Sequence, residues 1–306
     1  MQSSGTTAYL FPGQGSQSVG MGRALAEAEP QARTLWEEAD QVLDFSLSGL
    51  AFEGTEAELQ RTENAQPALL AASIASLRVL QSRGVLAPAS YLAGHSLGEY
   101  TALVAAESLQ FADAVRLVRR RGELMAREGD RVGVAMAAII GLPPETVSEL
   151  AAASGAQVAN RNSPEQTVIS GEADAVERAS AALREAGARR VLPLSVSGAF
   201  HSSLMRPLAD EFAEVAARVE MRPPVLPVVS NVSARPLLTE AEVRRELVEQ
   251  LYSPVNWTQT LYYLQGEGVD SFVEIGPGKV LAGLVKRTLP GATVTGSDSL
   301  QAVVAR

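Results

Sequence analysis

Apolar and polar positions along this chain follow two patterns. Short, unbroken apolar runs read as buried strands at residues 7–11, 91–93, 134–140, 227–232 and 271–275. Between them lie longer stretches whose apolar residues recur every three to four positions, the period of an amphipathic helix. These predict helices over 24–43, divided at Pro30, and over 68–83, opened by Gln66-Pro67 as first turns favour. Further helices are predicted over 100–106, 113–127, 207–219, 243–251 and 280–288. Strands alternating with helices imply an α/β fold, a mostly parallel sheet with helices on both faces.

The middle of the chain has a different order. Strands at 134–140, 157–160, 166–170 and 189–196 and helices at 144–154 and 173–186 follow one another as βαββαβ, with residues 161–164 joining the central pair. That is the ferredoxin-like split unit. The expected organisation is a large subdomain from 1–131 and 197–306, with an inserted small subdomain, 132–196, as one wall of a cleft.

The apolar run at 91–93 ends in Gly94-His95-Ser96-Leu97-Gly98-Glu99-Tyr100. A Gly-x-Ser-x-Gly between strand and helix is the setting of a nucleophile elbow, where a strained turn holds the serine hydroxyl out of the sheet. The same pentapeptide also arises by chance on such turns, so its chemistry depends on partners. The loop Pro12-Gly13-Gln14-Gly15-Ser16-Gln17 follows the first strand, but Ser18 stands where a dinucleotide fingerprint needs its third glycine. Its other use is close approach of backbone N–H groups to an oxyanion.

A serine nucleophile needs a base. His95 is the immediate neighbour of Ser96, and adjacent side chains at an elbow point apart, so it reads as a packing residue. His201, after Gly198-Ala199-Phe200, is the other candidate. No acid can be assigned as its partner. On the helix over 113–127, Arg116, Arg120, Glu123 and Arg127 share the polar face, while Arg121 falls among Leu117, Val118, Leu124 and Met125. An arginine facing the core needs an anionic partner; the structural alternatives are an ion pair with an Asp or Glu elsewhere, or a stem long enough to reach water. Gln66 reads as a residue of the helix start or as a wall of the site.

Composition narrows the class. The 306 residues are 46% hydrophobic, enough for a sizeable core. A net charge of −9 argues against nucleic acid as a partner. With no Cys and two His, a disulfide scaffold and a structural zinc site are excluded, and no metal ligands are assigned. The first seven residues carry no basic region or long apolar core, and the longest apolar candidate for a span, 68–80, is interrupted by Ser73, Ser76 and Arg78. The expectation is a soluble cytoplasmic protein with no membrane contact.

Taken in order, the segments Phe11–Gln17, Gln66–Leu69, Gly94–Tyr100, Arg121-Gly122 with Met125, Asn162–Pro164, Gly198–His201, Gln250–Trp257 and Gly276–Lys279 resemble the malonyl-CoA:acyl-carrier-protein transacylases of bacterial fatty-acid synthesis over nearly the full length. No site residue of that pattern is substituted. The resemblance implies a hydrolase-like core with the ferredoxin-like insert. It implies ping-pong transfer of malonyl from coenzyme A, through an ester on Ser96 with His201 as base, to the phosphopantetheine thiol of acyl carrier protein. It implies an oxyanion hole from the N–H groups of Gln14 and Leu97, a malonyl carboxylate paired with Arg121, Gln66 beside the acyl group, and the Gln250 carbonyl orienting His201. Asn160 and Asn162 would face the cleft, and Phe200 would filter acyl shape. The implied partners are malonyl-CoA and carrier protein, with no bound cofactor and a monomeric state. Arg189, Arg190, Lys286 and Arg287 are the candidate docking cations for an acidic carrier. A serine esterase or thioesterase using the same Ser96 and His201 is the alternative, followed by a non-catalytic docking module. Arg121 and the missing acid argue against the esterase, and the intact Ser96, His201 and Arg121 set argues against the module.

Overall fold

The computed structural model describes residues 6–194 and 198–297. Ten strands lie among these residues: β1 (Thr6–Phe11), β2 (Ala89–Gly94), β3 (Val134–Ile140), β4 (Gln157–Ser163), β5 (Gln166–Glu172), β6 (Arg190–Pro193), β7 (Val228–Val229), β8 (Pro236–Leu237), β9 (Val269–Glu274) and β10 (Thr293–Gly296). They form two sheets. The larger runs β10-β9-β1-β2-β7-β8 and is parallel except for the antiparallel β7–β8 pair.

β1 carries no alternation because both its faces are covered. Tyr9 and Phe11 point into one apolar layer, with Leu69, Leu97 and Leu103, while Ala8 and Leu10 point into the other, with Trp257, Phe272 and Leu281. The helix Thr62–Ser82 is apolar on nearly all sides and correspondingly buried.

This helix begins four residues before Gln66, so Gln66 is not at its start and Pro67 lies inside it. Proline cannot donate to the carbonyl one turn back. The carbonyl concerned, that of Glu63, instead accepts Arg119 Nη1 at 3.1 Å, from the neighbouring helix Phe111–Val132. The two helices approach closely because Gly122 has no side chain: a Cβ there would lie 2.5 Å from the Glu63 Cα. The contact sets Arg121 beside Gln66.

The smaller sheet has the order β4-β5-β3-β6 with every pair antiparallel, and the helices Pro144–Ala153 and Ala173–Glu185 cover one face. Ala137 and Ile139 of β3 pack on those helices; Met136 and Ala138, on the other face, join the core of the larger sheet. This is the ferredoxin-like order expected from βαββαβ.

Several boundaries differ from the pattern. β4 runs on through Arg161 and Asn162, which the sequence places in a connection. The run over 227–232 pairs only at Val228–Val229, because Ser230 and Asn231 turn to buried carboxyls instead. The helix expected over 207–219 is a 3₁₀ turn, Ser203–Leu208, holding Pro207, followed by the helix Ala209–Ala217. The helix expected from 243 starts at Glu240, where Thr239 and Glu242 form a capping box. The end of the strand over 189–196, and the subdomain boundary at 196–197, lie outside the described residues.

β2 ends at Gly94, and the helix Leu97–Ala105 begins directly after Ser96. A Cβ on Gly94 would lie 1.9 Å from the Gly98 carbonyl, with only backbone in its way. Gly94→Ala is therefore expected to destabilise the fold by at least about 2 kcal/mol, measured by denaturant unfolding; a loss within error would mean that the elbow can widen.

Candidate active site

Ser96 has φ 51° and ψ −106°, a positive φ that non-glycine residues rarely adopt. Its N–H donates to Asn231 Oδ1 at 2.7 Å, and its carbonyl accepts Gln250 Nε2 at 3.0 Å. The strained residue is thus held on both backbone sides. Its Oγ lies 2.8 Å from His201 Nε2. His201 Nδ1 is 2.8 Å from the Gln250 carbonyl, which can only accept, so the proton sits on Nδ1 and Nε2 is free to take one from Ser96. Burial, then the neighbouring Arg121 charge, push the His201 pKa down to about 3.

Arg121 is buried with 1% of its surface exposed. Its Nη1 donates to Gln66 Oε1 at 2.8 Å; its Nη2 donates to Gln250 Oε1 at 2.8 Å and to Ser96 Oγ at 3.1 Å. Its carbon centre sits 5.4 Å from the Tyr100 ring centroid. The buried Nε–H has no partner among the described residues, and no carboxylate there forms an ion pair with this guanidinium. The two amide oxygens hold it as neutral acceptors. Gln66 Nε2 donates to Thr62 Oγ1 at 3.0 Å, and Thr62 Oγ1 donates to Gln14 Oε1 at 2.8 Å. One chain of side-chain bonds therefore joins Gln14 to Arg121 and on to Ser96.

Ser96, His201 and Arg121 line a cleft of about 410 Å³, with Gln14, Leu97, Asn160 and Phe200 on its walls, while Gln66 and Gln250 are fully buried behind Arg121 and off its lining. Leu97 is the first residue of its helix, so its N–H has no acceptor within the helix and is available beside the serine. Asn162 lies off this cleft: its Oδ1 is 2.8 Å from His95 Nε2, and it lines an adjoining cavity with Gln166 and Val280. His95 packs at 5.5 Å from the Trp257 ring, the packing role expected of it. Arg189, Arg190, Lys286 and Arg287 are exposed and outside the cleft, with Arg189 paired to Glu165 at 3.1 Å.

Residues 8–302 match the family model described as the acyl transferase domain. The chain belongs to that acyl transferase family. It is 49% identical over 285 residues to the malonyl CoA-acyl carrier protein transacylase of Bacillus subtilis, covering 92% of this chain and 89% of that one. Among solved structures it is similar to an acyl carrier protein S-malonyltransferase from Vibrio cholerae, with TM-score 0.93, 43% identity and coverage of 97% and 99% of the two chains. It is also similar to a structure of a type II PKS acyl-carrier protein in complex with its malonyl-transacylase, with TM-score 0.92, 44% identity and 95% of each chain covered.

Sequence reasoning misses three parts of this acyl transferase site. Asn231 stands where a buried parallel strand ends, a usual place for site residues. Glu99 is the one acid in an otherwise apolar first turn, which marks it as buried. The Gln250 side chain, beyond its carbonyl, bonds to Arg121, the Ser96 carbonyl and Glu99.

The depressed His201 pKa has two consequences of definite sign. The unfolded histidine takes a proton near 6.5 and the folded one resists, so stability falls as pH drops through the interval below about 6.5. In the same interval the base stays unprotonated. The rate at which a fluorophosphonate modifies Ser96 should therefore stay flat from about pH 8 to about pH 5. A rate that halves near 6.5 would contradict this account.

Proposed function

We propose that the chain transfers malonyl groups from malonyl-CoA to the phosphopantetheine thiol of acyl carrier protein, through an ester on Ser96. The observation that carries this reading is the buried guanidinium of Arg121, 3.1 Å from Ser96 Oγ and held, among the described residues, only by neutral acceptors. A substrate carboxylate would take over from the amide oxygens as a planar, charge-assisted partner. An acyl group with a carboxylate two bonds from its thioester carbonyl spans the guanidinium and the nucleophile.

His201 Nε2 removes the Ser96 proton as Oγ attacks the thioester carbonyl. The N–H groups of Gln14 and Leu97 stabilise the oxyanion. The C–S bond breaks, and the coenzyme A thiolate takes the proton from His201. The carrier thiol then gives its proton to the same nitrogen and attacks the ester carbon; the bond to Ser96 Oγ breaks, and Oγ takes that proton back from His201. The Gln250 carbonyl holds the His201 tautomer throughout, the task of the acid in a triad. Nucleophile, base and carboxylate clamp all come from the chain, so the steps use no bound cofactor. We place the enzyme in the cytoplasm as a monomer; no helix among the described residues is long and apolar enough to cross a membrane.

The carrier is acidic by expectation, so an enzyme of net charge −9 needs local cations to meet it. Leu194, following β6, and Val280 and Leu284 of the helix Val280–Thr288 line one cavity. Arg190 and Lys286-Arg287, from those two elements, are the docking cations we favour over Arg189, whose charge Glu165 already meets.

Two measurements test the reading. Intact mass and peptide mapping after incubation with malonyl-CoA should find a malonyl group on the peptide holding Ser96 and none in Ser96→Ala; an adduct in the variant would remove the assignment. Arg121→Ala should lower kcat/KM for malonyl-CoA by about ten- to a hundred-and-fiftyfold, the range for a bond to a charged group, and barely change acetyl-CoA turnover. An equal loss for both substrates would make Arg121 structural. Free malonate released without a thiol acceptor would favour an esterase.

A further inference from the structure

Glu99 lies behind the reacting groups and touches neither Ser96 Oγ nor the His201 ring. It is fully buried in the helix Leu97–Ala105. A carboxyl there is costly unless its oxygens are met, and both are. Oε1 accepts the Asn231 backbone N–H at 2.8 Å and Asn231 Nδ2 at 3.2 Å, and Oε2 accepts Gln250 Nε2. Burial and the neighbouring Glu246 carboxyl push the Glu99 pKa well up.

The orientation of each amide is unambiguous. Arg121 only donates, so the Gln250 end that faces it is the oxygen; the Ser96 N–H only donates, so the Asn231 end that faces it is also the oxygen. The NH₂ ends therefore face Glu99. From there Gln250 Nε2 also reaches the Ser96 carbonyl at 3.0 Å, and Asn231 Nδ2 reaches the Gly94 carbonyl at 2.7 Å. The Gln250 backbone meanwhile holds His201 Nδ1.

We infer that Glu99 is a positioning residue of the transfer reaction, whose carboxyl sets the Gln250 and Asn231 amides and through them the Ser96 backbone, the Arg121 guanidinium and the His201 ring. It acts one bond further from the histidine than the acid of a triad does. The inference rests on Ser96 and His201 working as proposed above.

Glu99→Gln is the discriminating variant. It keeps the side-chain volume and one acceptor oxygen. Its single NH₂ must face either the Asn231 N–H or the Gln250 NH₂, so one acceptor becomes a donor opposed to a donor. Ser96 acylation is followed by intact mass under single-turnover conditions, with malonyl-CoA and separately with a fluorophosphonate, which needs only an activated serine. Wild type, Glu99→Gln, Gln250→Ala and the double variant are compared, with thermal unfolding of each.

Glu99→Gln should acylate about ten- to a hundredfold more slowly at saturating malonyl-CoA, the cost of a slightly misplaced reacting group. Its half-saturating concentration should stay within about twofold of wild type. In the Gln250→Ala background the same substitution should cost at least about threefold less than in the wild-type background, because one of the two amides through which it acts is gone. An unchanged rate overturns the inference, and so does an equal loss in both backgrounds. If Glu99→Gln does not fold, Glu99→Asp, which withdraws the carboxyl by one methylene, should fold and acylate slowly. A wild-type rate in Glu99→Asp, or loss of fold in both variants, makes the carboxyl purely structural and overturns the inference. A wild type modified by the fluorophosphonate but not by malonyl-CoA defeats the malonyl reading alone, and Glu99 is then judged on the fluorophosphonate rates. A wild type modified by neither defeats both.

Discussion

A guanidinium keeps its proton under any condition in which this fold exists, so the burial of Arg121 constrains everything around it. The charge must be met, yet a carboxylate on the chain would neutralise it before any substrate arrived. The solution is a ring of neutral acceptors: amide oxygens from Gln66 and Gln250, the Ser96 hydroxyl and the face of Tyr100. Each is polar enough to make burial tolerable and weak enough to be exchanged. The same charge adds to burial in holding the His201 pKa down.

The parts of this arrangement legible in the sequence are those set by local pattern. The elbow is legible because an apolar run, two glycines and an apolar helix start follow each other within a few residues. Arg121 is legible because one cation breaks an apolar stripe. The order βαββαβ is legible because its periods switch in register with its turns. What stays hidden depends on which segments meet in space. Gln66 looks like a helix start because Pro67 looks like a first-turn proline. The carbonyl that this proline leaves free is met by Arg119, 56 residues along the chain. Asn231 and Gln250 reach Glu99 and Ser96 from 132 and 154 residues away. No spacing rule reports such a meeting, although buried polar residues in apolar runs announce that a partner exists.

The two sheets share the work unequally. The larger one supplies the strained turn and, from the segment after β7 and the end of the helix Glu240–Glu249, the groups that hold the serine backbone. The smaller one packs a single face on the common core and contributes Met136 and Asn160 to the cleft wall. Variation in that wall can reshape the acyl pocket without disturbing the hydrogen-bonded frame behind Ser96.

The order of the larger sheet also governs how the protein emerges during synthesis. β1 is made first, but one of its two neighbours, β9, begins only at Val269. Until then the strand has an open edge and an uncovered apolar face, the state in which chains pair wrongly with one another. His201 and Gln250, which bond to Ser96 in the folded protein, also arrive late. A nascent chain therefore carries the serine long before it carries the groups that surround it, and it is most vulnerable to aggregation before they meet.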